Sequence, residues 1–476
     1  MIPLIKEIKL DFSPIQVYEI FRASDYSFIL DSGTHEYGLG EYAFMGGDPF
    51  LLVTSNGSDV KVTRKDSSDV LKNADVLEVT RKILSDYQID NTISPVPFCG
   101  GGVGYFSYDL GRTLERIPNK TENDVNVSDC CLAFYDLVIA YSYSQNKFYI
   151  VSTGFPEKGL KGEKRAEERL KLVLGRLKEL KGKQSNNSIV SPSIINGEDI
   201  LSNFTKASYL NTVDKIKEYI AAGDIYQVNL SQRFTCNLHM DSFELYKRLI
   251  EINPAPFGGF LNFGEESIIS ASPERYLYLK NGVVRTRPMK GTRPRGKTKK
   301  EDEIFKNDLL KSEKDKAELI MIVDLERNDI GRVCEHGSVY LESIRDIEKY
   351  STVFQTTSTV RGRLSKEKDR IDLLKACFPG GSITGAPKIR AMEIIEELEP
   401  TRRGIYTGSL GYLSFSGEMD LNILIRTLVA KKNKIRFQVG GGIVADSDPE
   451  SEYRETLDKA KALFSALGAN LSNWLA

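Results

Sequence analysis

Apolar and polar positions alternate with two different periods along this chain, and the change from one period to the other predicts its elements. Ser13-Pro14 opens a short helix, with a capping hydroxyl followed by proline at the first helical position. Asn56-Gly57 stands between two β-rich runs and reads as a hairpin turn. Strands are expected over 132–143 and 147–153, then a charged helix over 163–181 whose leucines recur at helical spacing. The stretch from Gly182 to Gly197, rich in Ser, Asn and Gly, reads as a linker. The organisation expected is an N-terminal α/β region at 1–182, a linker at 183–197 and a second region at 198–476.

Beyond the linker the texture changes. A helix over 206–222 stops at Gly223, a strand covers 225–235, and 277–287 reads as a hairpin around Asn281-Gly282. The unusual segments all follow: a loop carrying Lys290, a helix carrying Glu318, the loop 378–388, a strand ending in Gly440-Gly441-Gly442, and a last helix carrying Glu452 and Glu455. No internal repeat or low-complexity tract interrupts them.

Composition narrows the class. Apolar residues make up 41% and charged residues 28% of 476, an ordinary globular balance long enough for two or three domains or one large interleaved core. Lys plus Arg (65) nearly cancels Asp plus Glu (66), so no basic surplus exists to bind a phosphate backbone, and nucleic acid is not an expected partner. The start has no long apolar run, and no stretch has the length of a membrane span, so a cytoplasmic protein is expected. Six cysteines without a C-x-x-C pair and only three histidines give no zinc spacing, leaving buried thiols as the reading.

Candidate chemistry lies in the C-terminal segments. Ser447-Asp448-Pro449 starts the last helix, which puts Glu452 and Glu455 three positions apart on one face. A solvated acidic face is the plain reading; a hard-cation site is the functional one, because Mg²⁺ takes one or two carboxylates and completes its shell with water and substrate oxygens. Glu318 sits in an otherwise apolar helical stretch and needs a partner, which a metal would supply. Gly440 to Gly442 allow close approach of backbone to a ligand, with N–H groups turned toward one point, or simply make a tight turn. The loop Pro379 to Lys388 lacks the Gly-Lys-Ser/Thr step of a nucleotide phosphate loop. Lys290 reads by default as a surface ammonium; as a nucleophile it would have to be neutral, which burial or neighbouring positive charge such as Arg287 and Arg293 favours.

Three long motifs carry a resemblance. Asp315 to Arg332 (DKAELIMIVDLERNDIGR), Phe378 to Met392 (FPGGSITGAPKIRAM) and Pro288 to Gly296 (PMKGTRPRG) resemble the chorismate-binding enzymes, the family of anthranilate synthase component I, aminodeoxychorismate synthase component I, isochorismate synthase and salicylate synthase. The match covers nearly all of 205–467 in order, and Ser27 to Ser32 resembles more faintly the segment that lines a tryptophan pocket in aminating members. The resemblance implies a large two-lobed α/β sandwich of mainly antiparallel sheets with flanking helices. It implies Mg²⁺ held by Glu318 and Glu455, with Glu452 at one remove through water. Gly291, Thr292, Tyr406, Arg426, Gly440, Gly441, Gly442 and Lys459 would hold chorismate, and Glu274 would protonate the departing C4 hydroxyl. A tryptophan pocket would involve Ser32, Leu39, Gly40, Glu41, Tyr42, Pro256, Phe257 and Gly258.

Two positions separate the members. Where isochorismate and salicylate synthases carry a water-activating lysine this chain has Gln227, and where anthranilate synthases carry alanine it has Lys290. The resemblance therefore implies Mg²⁺-dependent amination of chorismate to 4-amino-4-deoxychorismate, on the way to 4-aminobenzoate and folate, with Lys290 as covalent nucleophile at C2. Ammonia would come from a separate glutamine amidotransferase subunit in a heterodimer, because the chain has no Cys-His-Glu glutaminase portion. Gln355 stands where many relatives carry a histidine, which favours chemistry that stops before pyruvate loss. The alternatives are anthranilate synthase component I, and a non-catalytic sensor of tryptophan or chorismate.

Overall fold

The computed structural model describes residues 2–33, 39–89, 94–182, 200–350 and 353–469, together with Leu471 and Trp474. Its described residues form two twelve-stranded sheets flanked by helices, the α/β sandwich that the resemblance implies. The stretch 183–197 expected as a linker lies outside the described residues.

Each sheet draws strands from both sides of that stretch. In the first, Ser27–Asp31 pairs antiparallel with Phe257–Phe263, and in the second Gly101–Phe106 pairs antiparallel with Ser409–Ser414. Side chains alternate between the faces of a strand, and the cores follow that alternation. Phe28 enters the cluster shared by the two sheets, with Phe44, Val103, Phe134 and Leu410, while its neighbour Ile29 enters a second cluster with Tyr18, Val213, Leu245 and Leu457 from helices on the outer face. The central strands of the first sheet are thus buried on both faces, and Phe257–Phe263 and Leu137–Ser142 are accordingly nearly continuous apolar runs.

Local signals held where their chemistry is local. Ser13 caps the helix Pro14–Tyr18 through a capping box, Asn56-Gly57 joins Leu51–Asn56 to Asp59–Arg64, and Gly223 follows the helix Lys206–Ala221 at φ +84°. The single strand expected over 132–143 is two strands in different sheets, Cys130–Tyr135 and Leu137–Ser142. Between them Asp136 is fully buried, its carboxylate paired with Arg165 at 3.1 Å and Arg169 at 3.0 Å from the helix Gly159–Gly182. Hydrophobicity is continuous across that change of sheet, so only the lone acidic residue marks it. All six cysteines are buried, and no helix among the described residues is long and apolar enough to cross a membrane.

Candidate active site

The segment expected as a loop around Lys290 is a strand, Met289–Pro294, paired antiparallel with Val353–Arg363. The register slips between Lys290 and Thr292, and Gly291 occupies the slip at φ +77°. A bulge of this kind bends the strand and re-aims the neighbouring side chain, and glycine takes the left-handed backbone without strain. A Cβ on Gly291 would also lie 2.9 Å from Leu309 Cδ1 and 3.0 Å from Asp315 Cγ. The Lys290 side chain is only 13% exposed, with Nζ 4.0 Å from Glu318 Oε2, which overturns the surface-ammonium reading. Thr292 accepts a hydrogen bond from Gln355 Nε2 at 3.3 Å, so Gln355 borders the same strand.

Gly440 to Gly442 do not turn their N–H groups toward one point. They lie inside the strand Lys434–Ile443, with Gly440 opposite Ser231, Gly441 opposite Leu230 and Gly442 opposite Asn229. Their contribution is the absence of side chains. A Cβ on Gly442 would fall 2.1 Å from Gln227 Nε2 and 3.1 Å from Lys290 Nζ; one on Gly441 would fall 3.2 Å from Glu452 Oε2, 3.6 Å from Glu455 Oε1 and 3.9 Å from Lys459 Nζ. Gly442 thus leaves room for Gln227 and Lys290, and Gly441 for the carboxylates of the last helix, Pro449–Leu467.

That helix begins at Asp448, whose carboxylate caps Ser451 N. Glu452 is buried and accepts from Ser447 Oγ at 2.6 Å; burial pushes its carboxyl up against that bond. Glu455 pairs with Lys459 at 2.7 Å, and the Lys459 charge, helped by Lys290, holds its carboxyl below the usual range. Lys459 also donates to Gly440 O at 2.8 Å, and Arg426 donates to Lys459 O at 2.9 Å. Tyr406 is buried beside Arg426, and its phenol is pushed up by burial. Among the described residues no three His, Cys, Asp or Glu side chains converge as a closed metal cage. Glu318 and Glu455 are hard oxygen donors that both face Lys290, a pair that fits Mg²⁺, which needs no third carboxylate.

Glu274 follows the buried strand Glu266–Ser272 and is 5% exposed. Ser382, from the short 3-10 turn Gly381–Ile383 in the glycine-rich loop, donates to Glu274 Oε1 at 2.6 Å. Burial pushes the Glu274 carboxyl up to about 7, against the pull of that hydrogen bond and of the Lys290 and Lys459 charges. A carboxyl poised near neutrality, within the field of both lysines, can hold and deliver a proton at working pH.

Sequence reasoning missed Ser382, although its loop was noticed for the wrong reason, as a failed phosphate loop. It also missed Glu326, a buried acid on the Glu318 helix whose only signal was a charge on an apolar face.

The expected tryptophan-pocket residues gather elsewhere. Ser32, Leu39, Glu41, Tyr42, Pro256, Phe257 and Gly258 line one cavity of about 430 Å³; Gly40 is not in its wall. Arg275 also lines this cavity, its guanidinium 4.8 Å from the Phe257 ring and 4.6 Å from the Tyr278 ring, with a two-pronged pair to Asp420. Arg275 adjoins Glu274 in sequence, so cavity and acid share a strand end.

Comparison with known proteins shows the family. Residues 26–465 match the model of the chorismate binding enzyme family. The chain is 38% identical to anthranilate synthase component 1 of Acetivibrio thermocellus over 98% of its length and 95% of the relative's, and 37% identical to aminodeoxychorismate synthase component 1 of Bacillus subtilis over 90% and 89%. The crystal structure of anthranilate synthase component I from Streptococcus pneumoniae superposes with a TM-score of 0.78 at 33% identity, covering 88% of this chain and 91% of that one. The chain belongs to the chorismate-binding enzymes and is a chorismate-utilising enzyme.

Proposed function

We propose that this enzyme aminates chorismate at C4, giving 4-amino-4-deoxychorismate for 4-aminobenzoate and folate synthesis in the cytoplasm. A glutamine amidotransferase partner subunit supplies the ammonia. The observation that carries the reading is the half-buried Lys290, aimed by the Gly291 bulge toward Glu318 and the side-chain-free strand at Gly442. A lysine held away from water in a site shared with a proton-bearing Glu274 suits nucleophilic catalysis.

In this mechanism the Lys290 amine bonds to C2 of chorismate as Glu274 gives its proton to the C4 hydroxyl, which leaves as water while both ring double bonds shift. Ammonia then bonds to C4, both double bonds shift back, and the C2–N bond to Lys290 breaks. Arg426, Lys459 and Tyr406, with Gly291 and Thr292, bind the dianionic substrate, and Gly440 to Gly442 leave room beside them. Glu318 and Glu455, with Glu452 through water, would hold Mg²⁺, which supplies positive charge to a substrate carboxylate. Gln227 offers no base for water, which disfavours hydroxylation at C2. The cavity with Ser32, Tyr42 and Phe257 suits a tryptophan, the indole against the Arg275–Phe257 stack.

Anthranilate synthesis is the second reading, favoured by relatives of that name at 36–38% identity. Incubation of the pure chain with chorismate, Mg²⁺ and ammonium decides between them. The expected product becomes 4-aminobenzoate only after aminodeoxychorismate lyase is added; fluorescent anthranilate formed without the lyase refutes the proposal.

A further inference from the structure

Glu326 is a buried carboxyl to which the amination chemistry gives no task. It lies two turns beyond Glu318 on the helix Glu313–Gly331 and is 6% exposed. Thr286 Oγ1, at the end of the strand Val283–Thr286, donates to its Oε2 at 2.6 Å. No ion pair to it occurs among the described residues. Lys388, at the start of the helix Lys388–Leu398, is engaged with Asp329 at 2.5 Å and with Cys377 O at 2.8 Å, and Arg332 also pairs with Asp329, at 3.2 Å. Tyr276 and Cys377, both buried, lie within the Glu326 field from the strand Arg275–Lys280 and the end of the helix Arg370–Cys377.

A buried carboxylate with one hydroxyl donor and no cation of its own is costly, whereas the carboxylic acid is not. Burial accordingly takes Glu326 up to about 8; the Thr286 bond and Lys388 oppose this, and the charges of Glu274 and Asp329 add to it. The helix that carries Glu326 packs on the turn that holds Glu274: a Cβ on Gly381, next to Ser382, would lie 2.7 Å from Leu325 Cδ2, the neighbour of Glu326. A negative charge on Glu274 therefore strengthens the hold of Glu326 on its proton.

We propose that Glu326 is a positioning residue for the general acid, a second carboxylic acid that keeps its proton so that the Glu274–Glu326 pair carries at most one negative charge during turnover. The inference rests on Glu274 being the general acid. Its proton account is closed. Glu274 loses a proton to the departing C4 oxygen and regains one from the ammonia nitrogen once that nitrogen has bonded to C4. The proton on Glu326 does not move, and no second anion opposes the transient charge on Glu274.

Glu326→Gln tests this, because the amide still accepts from Thr286 but cannot ionise. In kcat/KM against pH, the wild-type alkaline limb is expected to lose two protons above pH 8 and the variant only one, with the first midpoint within a few tenths of a unit in both. A one-proton limb in both proteins means a merely structural residue and overturns the proposal. A first midpoint moved downward by a unit in the variant also overturns it, since that is the sign of removing a neighbouring anion. Infrared difference spectra give a reading independent of the product formed. At about pH 6, well above the range of an ordinary carboxyl, Glu274→Gln should keep a protonated-carboxyl band that the double variant Glu274→Gln/Glu326→Gln lacks; equal spectra overturn the proposal. Should Glu326→Gln fail to fold, Thr286→Val serves: the band then persists to higher pH than in the wild type, and its loss at about pH 7.5 contradicts the account. Anthranilate as product would refute the proposed function while leaving the infrared result standing.

Discussion

Ser382→Ala gives a sharp test of how the acid is tuned. The Ser382 hydroxyl donates to Glu274 Oε1 at 2.6 Å in a buried site, and a hydrogen bond to a charged acceptor stabilises by more than one to a neutral acceptor, by ~1–1.5 kcal/mol. At about 1.4 kcal/mol per pH unit, removing it raises the Glu274 pKa by ~1 unit. A general acid works while protonated, so activity falls as pH rises through its pKa. The wild-type limb in kcat/KM is expected near 7, where burial has set the carboxyl, and the Ser382→Ala limb near 8. Profiles are recorded with free ammonia held constant, so that ammonium ionisation does not add its own limb. Ground-state binding of chorismate, read from an inert analogue, should change little. A limb that stays in place or moves to lower pH refutes the assignment of this pair.

Three further outcomes follow from the same geometry. Because burial raises Glu274 from 4.5 to about 7, the folded state binds the extra proton, and stability is lost as pH rises between those values. Glu274→Gln should therefore raise the unfolding midpoint at pH 8 by an amount corresponding to ~3 kcal/mol and change little near pH 4; equal shifts at both pH values would count against a buried, proton-holding carboxyl. Gly442→Ala puts a Cβ 2.1 Å from Gln227 Nε2 and 3.1 Å from Lys290 Nζ, and the displaced side chains should lower kcat by ~10–100-fold with the circular dichroism spectrum retained. Normal turnover in that variant would show that the strand is not part of the site. Glu318→Gln and Glu455→Gln should each raise the Mg²⁺ concentration for half-maximal activity by at least ~10-fold, and unchanged Mg²⁺ titrations would remove them as ligands.

Much of this protein is legible in its sequence because the signals are local or the motifs long. The cap at Ser13, the turns at Asn56-Gly57 and Asn281-Gly282, and the acidic face of the last helix needed only their neighbours. What was not legible depends on partners far along the chain. The strand at Met289–Pro294 is a strand because Val353–Arg363 pairs with it, and the change of sheet at Asp136 depends on two arginines from a later helix. Gly440 to Gly442 looked like a ligand-binding turn, but paired with Gln227–Asn237 they act by leaving room for side chains from elsewhere. Ser382 was unreadable as a partner of Glu274 because 108 positions separate them.

The central claim is that Lys290 forms a covalent bond to the substrate, and intact-mass analysis tests it most directly. Enzyme mixed with chorismate and Mg²⁺ without ammonia, then quenched in acid, is predicted to carry an adduct of chorismate less water, which peptide mapping places on Lys290. Lys290→Ala should show no adduct and lose amination while still binding chorismate. An unmodified wild-type enzyme together with full amination by Lys290→Ala would contradict the account.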